Sequence, residues 1–124
     1  MQRIKYSRTF HLPWSDGISS DDKVISSLNN FVGKEVVVTE KLDGENTTIY
    51  SDGYCHARSL DTPYHISREY VRRVARDIGF SGLSSDFRIC GENLLAKHSI
   101  AYNALESHFY AFALFDKNVC LSWD

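Results

Sequence analysis

Apolar and polar positions follow two different periods along this chain. Val24, Ile25, Leu28 and Phe31 recur at the spacing of one helix face, and Ser19 with Asp22 three positions later forms a capping box ahead of them. The pattern predicts a short helix that Gly33 ends. Lys34 to Glu40 is β-branched and unbroken at Val36-Val37-Val38-Thr39, and Thr47-Thr48-Ile49-Tyr50 leads through Ser51-Asp52-Gly53 into Tyr54 to Arg58. These segments read as strands, the last two as a hairpin. Ser67 is the expected cap of the next helix, where Tyr70, Val71, Val74, Ala75 and Ile78 form one stripe and Arg68, Arg72, Arg73 and Arg76 another, with Gly79 as the stop. Phe87 to Cys90, Phe109 to Phe115 and Val119 to Trp123 read as further strands, the last pair joined by Asp116-Lys117-Asn118.

Two or three helices among hairpin-connected strands predict an α+β fold dominated by antiparallel sheet, organised as a single domain over residues 1–124. Residues 1–18 form a turn-rich arm whose Trp14 is expected to pack on the body of that domain. The last residues, Leu121-Ser122-Trp123-Asp124, are still strand-like. The 14 basic and 16 acidic side chains leave a net charge of −2, so any nucleic-acid partner must be met by a local basic surface. The arginine row around Arg72 could be that surface. The better reading is a solvated helix face whose arginines pair with acids such as Glu69 and Asp77.

Cys55, Cys90 and Cys120 are odd in number and have no close partner, which favours a reducing compartment over a disulfide framework, and the five histidines show no ligand spacing. No run approaches the roughly 18 apolar residues of a membrane helix, and the amino terminus lacks an apolar signal core. The expectation is a soluble, cytoplasmic protein.

The chemistry concentrates in Glu40-Lys41-Leu42-Asp43-Gly44-Glu45-Asn46, one lysine among three carboxylates at a strand end. A free lysine titrates at about 10.4, so only about 0.04% is a neutral nucleophile at pH 7. Nearby carboxylates worsen this, whereas a metal-bound polyphosphate or desolvation relieves it. The same residues would also suit a surface turn in which Lys41 pairs with Asp43 or Glu45.

Lys41-Leu42-Asp43-Gly44 resembles the K-x-D-G signature of polynucleotide ligases and mRNA capping enzymes, and Asn46 extends it to the form seen in ATP-dependent RNA ligases. Other pieces follow in that family's order. Ala57-Arg58-Ser59 resembles its arginine segment, Phe87-Arg88-Ile89-Cys90-Gly91-Glu92-Asn93 its glutamate motif, and Phe109-Tyr110-Ala111-Phe112 through Asp116 its aromatic strand. Glu35 to Lys41 and Asn118 to Asp124 are similar to segments of bacterial and phage-type RNA ligases.

The resemblance implies sealing of RNA 5′-phosphate and 3′-hydroxyl ends through a lysyl-AMP, with ATP as cofactor and Mg2+ or Mn2+ as the cation, as in RNA repair. By position, Lys41 would be the nucleophile and Glu40 would help recognise adenine. Asn46 and Arg58 would lie near the AMP phosphate, ribose and RNA end, Glu92 would contact the ribose or metal shell, and Phe112 would stack on adenine. Arg58 and Glu92 would join Lys41 as catalytic residues, and no side chain is assigned as a metal ligand. Lys97, His98 and Ser99 could reach RNA phosphates.

The family's later glutamate strand and paired-lysine strand do not follow, since Lys117 is the only lysine after position 97 and Glu106 the only later glutamate. The chain therefore resembles the amino-terminal portion of a nucleotidyltransferase domain. The expected partners are RNA ends, with a complementing carboxy-terminal half or self-association at an open sheet edge. A non-catalytic fragment binding adenine nucleotide or RNA ends and a DNA ligase-type adenylyltransferase remain the alternatives.

Overall fold

The computed structural model describes residues 2–82, 86–96 and 100–124. These fall into two compact units, residues 7–40 and residues 2–6 with 41–124.

In the first unit the helix expected after Ser19 and the strand expected over residues 34–40 do not form. The capping box itself closes, because Ser19 donates from N and Oγ to Asp22 Oδ2 at 2.9 and 2.8 Å. The chain then turns elsewhere. His11 N donates to Lys23 O at 2.8 Å and Ile25 N to His11 O at 2.9 Å, building a parallel bridge between His11 and Val24. An Ile25 amide held by His11 cannot bond four residues back, so the helical ladder never starts. Phe31 N to Leu28 O and Lys34 N to Phe31 O close successive tight turns instead. Val36, Val37 and Val38 are exposed outside any described strand, and Trp14, expected to be packed, is 66% exposed.

The second unit is an α+β arrangement. Its five-stranded antiparallel sheet has the order β2-β1-β3-β4-β5, with β1 Glu45–Tyr50, β2 Cys55–Ala57, β3 Phe87–Asn93, β4 Phe109–Asp116 and β5 Val119–Cys120. The expected β1–β2 hairpin forms with Thr48 opposite His56. Gly53 closes its turn at φ 87°, a left-handed conformation that suits glycine. The expected strand over 119–123 is shorter, since only Val119 and Cys120 pair with β4.

One α-helix, α1 (Glu69–Phe80), lies against β1 and β2 and buries Val71 and Ala75. Ser67 is not its cap. The His65 imidazole Nδ1 accepts from Ser67 N at 3.1 Å and engages Ser67 Oγ at 2.6 Å, so that hydroxyl serves a 3-10 turn over Ile66–Arg68 and α1 starts after it. Nor does Gly79 stop the helix. A Cβ there would stand 2.9 Å from Gly53 Cα, so Gly79 lets the helix cross the hairpin turn closely and α1 runs on to Phe80. No described helix is long and apolar enough to cross a membrane.

Strand β1 is buried on both faces from Thr47 onward. Glu45, Thr47 and Ile49 share the face toward α1, where Arg68 meets Glu45 and Asn93 Nδ2 donates to Ser67 O at 2.8 Å. Thr48, Tyr50 and His56 share the opposite face and are almost fully buried. There Tyr50 Oη lies 2.8 Å from His56 Nε2, and it accepts from Ile4 N at 2.8 Å, so residues 2–6 run across this face.

Burial holds the His56 imidazole below its ordinary value, so the folded chain resists protonation more than the unfolded chain does. Stability is then fully present above the ordinary imidazole value of about 6.5 and is lost as pH falls from there through the lowered folded value. Urea melts at pH 7.5 and 5.5 should show a larger loss for the wild type than for His56→Gln. Equal losses in the two proteins would remove His56 from the acid sensitivity.

Candidate active site

Two loop-like stretches of sequence meet at the start of β1. Gly44 N donates to Glu92 Oε1 at 3.1 Å, and the β1–β3 register sets Asn46 opposite Glu92. The register continues into β4, where Tyr110 is opposite Glu92. Asn46, Glu92 and Tyr110 therefore form one row across three strands on the face opposite α1. Glu92 and Asn46 are half-buried, and Asn46 Oδ1 is buried without a hydrogen-bond partner.

The backbone leading into this row is held on both sides. Asp43 N donates to Tyr102 Oη at 2.8 Å, while Asp43 Oδ2 accepts from Ile100 N at 3.2 Å. Gly44 has no room for a side chain, because a Cβ would lie 2.4 Å from Asn93 O. Lys41 is exposed three residues upstream, and no ion pair or hydrogen bond ties its ammonium among the described residues. The salt-bridged surface turn is thus not what forms. Glu45 instead takes two 2.8 Å bonds from Arg68 Nε and Nη2, and that carboxylate holds the guanidinium firmly charged. Such bidentate, charge-assisted contacts fix geometry as well as charge.

That pairing also corrects the arginine row. Arg68 precedes α1 and is committed to Glu45, and Arg76 lies 3.8 Å from Glu69. Arg72 and Arg73 rest over the rings of Tyr64 and Tyr70, at 5.6 and 5.8 Å. An open groove on this helix, lined by Tyr70, Arg73, Val74, Arg76, Asp77 and Phe80, contains none of the candidate residues.

Phe112 occupies an irregular position. Cys90 is opposite Ala113 and Gly91 opposite Ala111, so a bulge leaves Phe112 as the extra residue of β4. Its half-buried ring meets that of Tyr6 at 5.2 Å between centroids and 69° between planes. Arg58 is exposed just beyond β2, and its charge draws the Tyr6 phenol down against the larger effect of burial, which raises it. Cys90 is buried beneath, and desolvation keeps it a thiol.

Glu40 is exposed and belongs to the unit of residues 7–40. Lys97, His98 and Ser99 lie outside the described residues. Tyr6 and Tyr102 were not singled out in the sequence. Their signal is contact across 106 and 59 residues of chain, which no local pattern carries.

The Lys41 segment, the Glu92 carboxylate and the unsatisfied Asn46 amide oxygen thus meet at one end of the sheet, and Phe112 stands at the bulge of β4. Searches of the curated proteins and of the solved structures find no match to this chain. The model of the RNA ligase family matches residues 34–124, a span that holds the Lys41 segment, Arg58, Glu92 and Phe112. The chain belongs to the RNA ligase family.

Proposed function

We propose that this domain takes part in ATP-dependent joining of RNA ends, with Lys41 as the adenylyl acceptor. The observation that carries the reading is the Gly44 to Glu92 bond, which joins the lysine segment to the glutamate strand and aligns Asn46 with Glu92. Lys41 Nζ, having lost a proton, attacks the α-phosphate of ATP. A P–N bond forms and the P–O bond to pyrophosphate breaks. The 5′-phosphate of an RNA end then takes the adenylyl group from the lysine, and a 3′-hydroxyl attacks that phosphate to release AMP.

Each neighbouring residue has a task suited to its chemistry. Asn46 Oδ1 is a buried acceptor waiting for a donor, which a ribose hydroxyl supplies, and the same amide turned over would offer N–H to a phosphate oxygen. Glu92 and Gly44 N form the floor on which the ribose rests. Glu40 contributes to recognition of adenine, and Phe112 offers a ring face for stacking. Arg58 is exposed and carries a planar fork suited to the phosphate of an RNA end. Mg2+ or Mn2+ would neutralise the polyphosphate while keeping most of its own water, so few protein ligands are needed.

ATP labelled on the α-phosphate should mark the protein through an acid-labile bond. Lys41→Arg should abolish the mark, because a guanidinium stays charged. Labelling that survives this change would transfer the role to another residue.

Phe112→Ala should raise the ATP concentration needed for half-maximal labelling by about five- to a hundredfold, the range of one lost base stack at about 1–3 kcal/mol, and Phe112→Trp should largely restore it. An equal loss in both variants would assign Phe112 to the core. With pre-adenylated RNA as substrate, Arg58→Ala should seal at least tenfold more slowly while its lysyl-AMP formation changes little. Sealing at the normal rate would take Arg58 out of the RNA-end role.

A further inference from the structure

Phe112 needs support that its own strand does not give. The bulge at Cys90/Gly91 leaves it without a partner on β3, and β5 pairs only with Phe115 and Asp116. A half-buried phenylalanine with no cross-strand neighbour can swing about χ1, and a swinging ring is a poor platform for a base. Among the described residues, the one aromatic ring that meets it is Tyr6.

Tyr6 is itself held by a short, strongly anchored segment. Arg3 donates from Nη1 and Nη2 to the two carboxylate oxygens of Asp52 at 3.2 and 2.7 Å, in the turn of the β1–β2 hairpin. The same guanidinium lies over the rings of Tyr50 and Tyr54, at 4.6 and 4.3 Å. Ile4 N donates to Tyr50 Oη, which also meets Ile4 O and buried His56. Tyr6 follows Arg3 by three positions, so their Cα atoms stand at most about 11 Å apart. The segment has little freedom to carry Tyr6 away. Tyr6 thus stands against the residue proposed to meet the base of the nucleotide.

We propose that Tyr6 is a positioning residue, fixing the Phe112 ring so that the base of ATP meets a platform already set, with the Arg3–Asp52 pair as the clamp that holds Tyr6 in place. This rests on the reading of Phe112 as the base-stacking residue. An edge-to-face pair limits rotation of the ring it touches, and nucleotide binding then need not order that ring.

The test compares wild type, Tyr6→Ala, Tyr6→Phe, Arg3→Ala and Phe112→Ala for self-labelling by ATP and for binding of a non-hydrolysable α,β-methylene ATP analogue. Tyr6→Ala should raise KM and the analogue's Kd by roughly three- to tenfold, as expected for one lost aromatic pair, with kcat little changed. Tyr6→Phe should restore both, and Arg3→Ala should reproduce part of the loss. Tyr6→Ala added to Phe112→Ala should cost nothing more, because the effect runs through that ring.

Labelled phenylalanine followed by NMR without nucleotide gives a second readout, in which Tyr6→Ala should speed the flipping of Phe112. Should Tyr6→Ala fold poorly, Tyr6→Leu keeps apolar bulk without the ring and should show the same KM loss. A wild type that labels normally with an unchanged KM in Tyr6→Ala overturns this role alone. A lowered KM also overturns it, by showing that Tyr6 competes with the base. A wild type that neither labels nor binds the analogue overturns the proposed function, and this role with it.

Discussion

The site depends on the antiparallel register between β1 and β3. Gly44 sits where a methyl group would collide with the Asn93 carbonyl, so the strands can close to this distance only with glycine at that position. Once they close, Gly44 N reaches Glu92 and Asn46 falls opposite it. A slip of one residue would turn every side chain of β1 to the other face, sending Asn46 toward α1 and Glu45 away from Arg68. The Glu45–Arg68 bridge and the buried Asn93 bond to Ser67 O therefore lock the same register from the helix side. Charge-assisted bonds of this kind contribute about 1.5–3 kcal/mol each when half-buried. The pair fixes the register as well as adding stability.

The other face is secured by different chemistry. Tyr50, His56 and Thr48 are almost completely buried there, yet all carry polar atoms, and a buried polar atom without a partner costs roughly 1–3 kcal/mol. Tyr50 and His56 partner each other, His56 Nδ1 also meets the Ala57 carbonyl, Thr48 meets the Cys90 thiol, and Tyr50 takes the backbone of Ile4, so the amino-terminal segment completes a polar network as well as covering apolar surface. A network of that kind specifies one arrangement, because a shifted segment would strand several donors at once. Tyr6 inherits its position from that specificity.

Where sequence periodicity coincided with a partner surface, the elements were legible. The hairpin, the stripe of α1 and the aromatic strand all place apolar residues against the same sheet, and all form. Residues 19–40 carry equally strong local signals and form neither helix nor strand: the His11 bridge captures Ile25 N, and the valine run stays exposed. Helix and strand propensities are weak priors that tertiary bonding overrides. The site divides in the same way. The lysine motif and Glu92 could be read from short strings of residue types, whereas the bulge at Phe112 and its contact with Tyr6 exist only after β3 and β4 have paired.

The charges around Lys41 follow from that division. Three carboxylates surround the lysine in sequence, and by spacing alone any of them could tether it. The fold distributes two of them differently: Glu45 goes to Arg68 on the helix face, and Asp43 to the amide of Ile100. What remains at the motif is a lysine on an exposed segment whose following amides are pinned by Tyr102 and Glu92. A side chain that must reach an α-phosphate, accept an adenylyl group and later hand it on needs a fixed root and a mobile tip. Bonding at Asp43 and Gly44 supplies the first, and the engagement of those carboxylates elsewhere permits the second.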